Sequence, residues 1–456
     1  MTSGPTTTLW FGQALLADGW AERVRIGIEG GRIARIEVGC DPAPGEERHA
    51  AAVPGLCNLH SHAFQRGMAG LAEVRGPAHD DFWTWREVMY RFLDRLTPDQ
   101  VEAIAAQAYA EMLQQGFTRV GEFHYLHHDP DGRPYDRVSE LAERVVAAAD
   151  ETGLGLTLLP VFYAHGGFGG AEANPRQRRF LNDVESFSRL LEESRKAVAP
   201  LSDPVVGVAP HSLRAVTPEE LGAVAGMAGG GPVHIHAAEQ VKEVEDCLAW
   251  SGARPVQWLL EHTAVDEAWC LIHATHLTPE ETQGLAARGA VAGLCPVTEA
   301  NLGDGVFPAT DYLRANGRFG VGTDSNILID AAGELRALEY AQRLTRRGRN
   351  ILAAAEGASV GGDLFRRALA GGAQALGLAQ YGIQAGAAAD IVSFDLDHPS
   401  MVARARDGLL DAWIFAGGRV DCVWRFGRKV VEAGRHRRAE AIAARYRRVL
   451  AELLAA

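Results

Sequence analysis

The sequence predicts an α/β protein: a (β/α)8 TIM-like barrel carrying a small β-sandwich formed from both chain termini. Two observations predict it. In the middle of the chain, eight short apolar runs alternate with Ala-, Leu-, Glu- and Arg-rich segments of helical character. At each end, alternating polar and apolar residues joined by glycine turns read as hairpins. A large doubly wound sheet is the competing arrangement of the middle pattern.

Taken in order, Thr8-Leu9-Trp10-Phe11 starts a strand. Arg23–Glu29 and Arg32–Ile36 alternate on either side of the turn Gly30-Gly31. The barrel strands are expected at Gly55–His60, Thr118–Phe123, Leu156–Tyr163, Val205–His211, Val233–Ala237, Cys270–Ala274, Ala290–Cys295 and Phe319–Thr323. Helices are expected between most of them, as at Pro98–Gln115, Tyr135–Glu151 and Pro218–Met227. Pro98 and Pro218 each follow a threonine suited to an N-cap. Ala389–Phe394, Gly418–Phe426 and Lys429–Val431 return to the hairpin style, with a terminal helix behind them. The expected domains are therefore 1–53 and 386–456 for the two parts of the β-sandwich, and 54–385 for the barrel.

The ends of the barrel strands carry the chemistry, since a barrel of this kind builds its site at that face. The first ends in His60-Ser61-His62, two histidines at i and i+2 that share one face of a strand. The fifth reads His234-Ile235-His236-Ala237-Ala238-Glu239, the sixth ends in His273, and the eighth in Thr323-Asp324-Ser325. A lone histidine is ordinarily a satisfied core residue; metal-type or acid–base residues at four corresponding strand ends argue for a site. Imidazoles with a carboxylate suit a divalent metal, which lowers the pKa of bound water to about 7. Glu239 is placed to carry a proton, and His273 to polarise the electrophile or hold the attacking oxygen. His234 shares the face of His236 by alternation, but His236 is nearer the strand end and in register with Glu239. His276 reads as a structural residue.

These segments, together with Pro54-Gly55-Leu56-Cys57-Asn58-Leu59 before the first pair, resemble the amidohydrolase superfamily, and more narrowly its single-metal, cytosine deaminase-like branch. The resemblance covers almost the whole chain. It implies His60, His62, His236 and Asp324 as zinc ligands, and Glu239 as proton shuttle with His273 and Asp324 assisting. Many relatives hold two metals bridged by a carboxylated lysine from the third or fourth strand. The only lysines here are Lys196, Lys242 and Lys429, none at those strand ends. One divalent ion, zinc, is the expected cofactor.

Narrower segments sharpen the resemblance. His62–Gly70, Phe82–Tyr90, Glu122–His128, Pro210–Arg214 and Thr298–Gly305 together are similar to the formimidoylglutamate deiminases. That similarity implies N-formimino-L-glutamate and water as substrates, release of ammonia rather than formamide, and a homodimer. The residues suit such a substrate. Arg86 and Arg214, on loops after the first and fourth strands, could each pair with a carboxylate. Gln65, Tyr125 and His211 could add neutral hydrogen bonds. A single loop arginine is ordinarily a surface salt-bridge partner, and Trp83 and Trp85 read as loop-packing residues. The alternative is a related aminohydrolase acting on a purine, pterin or triazine. A metal-free scaffold protein would have had no need to keep all six site residues.

Composition agrees. The chain has 456 residues, 47% of them hydrophobic, enough for a large core. The net charge of −13 argues against nucleic acid as the main partner. Arg343–Arg349 and Arg435–Arg448 are basic but read as solvated helix faces. No charge-free apolar run reaches about 18 residues, so no membrane span is expected. Met1 to Thr8 is polar and has no signal-peptide pattern, so the expected location is the cytoplasm. The six cysteines form no C-x-x-C pair and no disulfide framework is expected.

Overall fold

A computed structural model of the chain describes residues 7–76 and 80–455. Most of the Met1–Thr8 segment expected to carry no signal peptide lies outside the described residues.

All eight expected barrel strands are present: Leu56–Ser61, Phe117–His124, Gly155–Phe162, Val205–Val206 with Ala209–Pro210, Val233–Ala237, Trp269–His273, Val291–Leu294 and Arg318–Val321. They pair in parallel in chain order, and the eighth pairs with the first. Single bridges from Val208 to Val233 and from Ser212 to His236 close the ring between the fourth and fifth strands. Most of these strands are buried along their whole length, as parallel strands covered by helices must be. The doubly wound alternative, an open sheet, is thereby excluded.

Two expected elements differ. The fourth strand, expected as one run over Val205–His211, is two short pieces, because Gly207 bonds Leu158 O and Val208 turns its backbone to Pro232. The helix expected from Tyr135 begins at Glu140, after Ser139. Packing also dictates two glycines. A Cβ on Gly322 would sit 2.7 Å from the backbone N and O of His60, and one on Gly371 would sit 1.9 Å from Phe319 O. The first lets the eighth strand approach the metal-type histidines. The second seats the helix Val360–Ala375 against the barrel, whose floor its C-terminal end plugs.

The sandwich expected from the two termini is one continuous eight-stranded sheet folded over its own core. Its order is Arg435–His436, Arg428–Glu432, Val420–Arg425, Ile391–Phe394, Glu47–Pro54, Thr7–Leu16, Gly19–Glu29 and Arg32–Val38. Neighbours are antiparallel except Thr7–Leu16 beside Glu47–Pro54. Leu9, Phe11, Ile26, Ile28, Ile391 and Trp424 pack together inside the fold. The chain passes from this sheet into the barrel across the single residue Gly55. The helix Ala439–Ala455 closes the chain against Pro98–Gln114. Arginines of the basic tail pair with acids: Arg435 with Glu440, Arg438 with Glu151, and Arg445 with Glu102 and Glu151. All six cysteines are free thiols. Among the described residues no helix is long and apolar enough to cross a membrane.

Candidate active site

Four side chains meet at the C-terminal mouth of the barrel. His60 and His62 come from the end of the first strand, His236 from the fifth, and Asp324 from just past the eighth. One ligand-type atom from each lies within 4.8 Å of the others. Nε2 of His60 and of His62 lie 3.3 and 3.2 Å from Asp324 Oδ1, and His236 Nε2 lies 3.2 Å from His60 Nε2.

The backbone locks these strand ends together. His62 N donates to Asp324 O (3.0 Å), Asp324 N to His60 O (2.9 Å), and His236 N to His211 O (3.0 Å). Behind the carboxylate, the amide of Asn326 donates to Ser61 Oγ, His62 O and Asp324 O, and its Oδ1 accepts from Thr323 Oγ1. Asn58 exchanges two further bonds with Thr323. Ala238, His273, Asp324 and Asn326 have φ of +54°, +67°, +43° and +53°. Left-handed backbone costs about 1–3 kcal/mol per non-glycine residue and gathers at functional sites.

The donor set fits a divalent cation. His62 Nδ1 donates to Phe123 O and His236 Nδ1 to His211 O, each at 3.0 Å. Those partners assign the tautomers and leave Nε2 of both rings with a lone pair. The lone pairs face other ring nitrogens and the Asp324 carboxylate, an arrangement that repels unless a cation lies among them. Burial pushes His60 down to about 3 and, with neighbouring imidazoles, pushes His236 well below the usual range. Burial alone would raise Asp324, but its contacts with His60 and His62 outweigh it and hold the carboxyl well below its usual range. Neutral imidazoles and an ionised carboxylate are the forms that bind metal. His49, Asp421 and Cys422 also lie close together in the β domain. There His49 bonds Glu47 and Asp421, so the cluster is satisfied as an ion-pair network.

Beside the cluster, His273 Nε2 lies 3.8 Å from Glu239 Oε1 and 3.9 Å from Asp324 Oδ2. Its Nδ1 faces Glu299 Oε1 at 3.3 Å. Burial works against charge on this ring, yet Glu239, Glu299 and Asp324 together raise its pKa to about 10. Burial raises Glu239 in turn. Glu243 accepts the backbone N–H groups of Ala238 and Glu239, fixing the turn that presents the Glu239 carboxyl.

A cavity of about 540 Å³ opens above this chemistry, lined in part by His62, Gln65, Arg86, Tyr125, His211, Arg214, His236, Glu239, His273 and Asp324. Every site residue expected from the sequence except His60, which lies beneath, borders it. Arg86 lies on a helix, Phe82–Leu93, rather than on the expected loop. Neither Arg86 nor Arg214 forms a salt bridge among the described residues, and Arg214 Nε and Nη1 are buried without a partner. Gln65 Nε2 donates to Tyr125 Oη at 2.8 Å, leaving its Oε1 buried and unpartnered. Burial and the Arg214 cation push His211 well below its usual range, so it faces the cavity neutral.

His234 bonds Ala375 O through Nε2 at 2.7 Å, on the barrel floor, so it is no part of the cluster. His276 also lies outside it. Lys196 and Lys242 pair with Glu192 and Asp246. Asn326, Glu299 and Glu243 were not anticipated as site residues. Glu299 falls within a motif already noted, and Glu243 follows Glu239 at helical spacing. Neither spacing announces the contact it makes.

Two family models match the chain: the amidohydrolase family over residues 51–430, and the N-terminal domain of formimidoylglutamate deiminase HutF over residues 6–50. A formimidoylglutamate deiminase from Pseudomonas aeruginosa is 51% identical, covering 97% of this chain and 98% of that one. The crystal structure of an amidohydrolase from Brucella melitensis superposes with a TM-score of 0.96 at 58% identity, covering 98% of this chain and 100% of that one. A zinc-bound adenosine deaminase from Xanthomonas campestris shares the fold, with a TM-score of 0.81 at 22% identity over 99% of each chain.

Proposed function

The chain belongs to the amidohydrolase family, and from that premise we propose that it hydrolyses N-formimino-L-glutamate to N-formyl-L-glutamate and ammonia in histidine degradation. The observation that carries the substrate is the pair of guanidiniums, Arg86 and Arg214, bordering the cavity of Glu239 and Asp324 without carboxylate partners among the described residues. The buried, unpartnered Nε and Nη1 of Arg214 are costly unless an anion joins them, and half-buried Arg86 offers a second cation on the same cavity. A substrate with two carboxylates answers two such groups.

In this reading one divalent ion, zinc, is held by His60, His62, His236 and Asp324. When bound, it supplies Lewis acidity that makes a water nucleophilic at neutral pH. Glu239 accepts the proton of that water and delivers it to the formimino nitrogen. His273, oriented by Glu299, donates a hydrogen bond through Nε2 to the oxygen that has added to the formimino carbon. Asp324 Oδ2 faces the same Nε2 and helps orient it. Collapse breaks the carbon–nitrogen bond to the terminal nitrogen as the added hydroxyl's remaining proton passes, again through Glu239, to that nitrogen, which leaves as ammonia. Arg86 and Arg214 hold the two carboxylates, while Gln65, Tyr125 and His211 complete the hydrogen bonds around the amidine and chain.

The same reading divides the chain at 53/54 and 385/386 into β domain and barrel, and takes the enzyme to be a cytoplasmic homodimer. An ammonia-release assay tests the substrate, with N-formimino-L-glutamate beside N-formimino-L-aspartate, guanine and cytosine. Turnover confined to the formimino acids is expected. Turnover of the heterocycles alone would overturn the reading in favour of a purine- or pyrimidine-type aminohydrolase.

A further inference from the structure

Two guanidiniums that face one small cavity repel each other, and a protein ordinarily relieves that repulsion with a carboxylate. Here neither forms a salt bridge among the described residues, Glu243 and Glu239 act on Arg214 only from a distance, and an indole is a neighbour of both. The Arg86 guanidinium carbon lies 4.8 Å from the centre of the Trp83 ring, and that of Arg214 lies 5.8 Å from the same ring. Both distances are within cation–π range. Arg86 also faces Tyr90 at 5.5 Å.

The local sequence sets this up. Asp81 caps the helix Phe82–Leu93 by accepting the N–H groups of Trp83 and Thr84, which fixes where Trp83 starts. Arg86 follows three residues later, on the same helical face. Arg214 arrives separately, after the fourth strand. Both Trp83 and Trp85 are half-buried and line the cavity, but Trp85 packs against the main hydrophobic core and Trp83 does not. Both tryptophans, expected to pack a loop, lie on this helix.

An aromatic face attracts a guanidinium without using its in-plane N–H groups. A carboxylate in the same place would neutralise the cation and occupy the donors. We propose that Trp83 is a positioning residue that holds Arg86 and Arg214 together, charged and with their donors free, so that the pocket selects a substrate carrying two carboxylates. This rests on the carboxylate-clamp reading given above.

The test is a mutant cycle on the zinc-loaded full-length enzyme. Trp83→Leu is expected to raise KM for N-formimino-L-glutamate about tenfold, with kcat within about twofold, in line with the usual strength of cation–π contacts. Trp83→Phe, which keeps an aromatic face, should recover most of the loss. The dissociation constant of N-formyl-L-glutamate, measured by calorimetry, should weaken in parallel. In an Arg86→Ala/Arg214→Ala background, Trp83→Leu should weaken that binding no further. Zinc content and melting temperature should match the parent in every Trp83 variant. Failure of the clamp reading is separately visible: Arg86→Ala and Arg214→Ala would themselves leave KM unchanged. The proposal is overturned if the arginine variants raise KM but Trp83→Leu does not. It is equally overturned if Trp83→Phe behaves as Trp83→Leu, or if Trp83→Leu weakens binding equally when both arginines are gone.

Discussion

Removing the Asn326 side chain should loosen the metal cluster from behind without touching a ligand. Asn326 is fully buried and makes four side-chain hydrogen bonds, to Ser61 Oγ, His62 O, Asp324 O and Thr323 Oγ1. At a net 0.5–1.5 kcal/mol each, Asn326→Ala forfeits about 2–6 kcal/mol. Three of the four partners stay partly satisfied, because His62 O still accepts Gln65 N, Asp324 O still accepts His62 N and Thr323 Oγ1 still accepts Asn58 Nδ2. That moves the figure to the lower half of the range. The φ of +53° adds about 1 kcal/mol, because asparagine tolerates left-handed backbone and alanine does not. The expected loss is about 3–5 kcal/mol, read as a fall in the urea midpoint with an unchanged slope. The same bonds join the strand end that carries His62 to the turn that carries Asp324. Zinc should therefore be lost to a chelator at about 10–100-fold lower concentration, the usual effect of removing a group that orients metal ligands. A variant within about 0.5 kcal/mol of the parent, with the same chelator titration, would refute the claim that this network holds the site.

Three further outcomes follow from the geometry. Glu239→Gln should keep fold and zinc while kcat falls by about 10²–10⁴, the range for loss of a general acid–base; a fall under about fivefold would remove Glu239 from proton transfer. Glu299→Leu should lower kcat with KM and zinc content unchanged, and Glu299→Gln, which keeps an acceptor for His273 Nδ1, should restore most of it; steady-state kinetics decide, and equal losses in both would refute an orienting role. In the β domain, burial lowers the pKa of His49, but its bonds to Asp421 and Glu47 raise it further, so the folded value lies above 6.5. A raised folded pKa adds stability below the unfolded value that is lost as pH rises through the folded one. His49→Gln should therefore cost stability at about pH 5.5 and much less at about pH 8.5, by urea unfolding; the same cost at both would refute the ion-pair account.

Much of the site is legible in one dimension because barrel chemistry has a fixed address. Once eight strands are recognised by their apolar runs, their C-terminal ends can be read off, and His60, His62, His236, His273 and Asp324 stand there. Local physics suffices: alternation sets the face of a strand, and strand ends set the mouth of the barrel. Alternation alone could not separate His234 from His236, since both point the same way. Only the depth of each in the barrel does so, and that is set by the carbonyl of Ala375, brought from 141 residues away to the barrel floor. The β domain shows the same limit. Its hairpins are local, but whether two sets of strands form two sheets or one depends on Glu47–Pro54 pairing with both Thr7–Leu16 and Ile391–Phe394.

By itself, then, the sequence determined most of the secondary structure, the barrel and the residue types at its mouth, because period and local spacing encode them. Only the tertiary structure decided what supports and selects: Asn326 behind the ligands, Glu299 behind His273, and Trp83 across from Arg214. Each of these is a contact between chain segments far apart in sequence, and no local pattern records such a meeting.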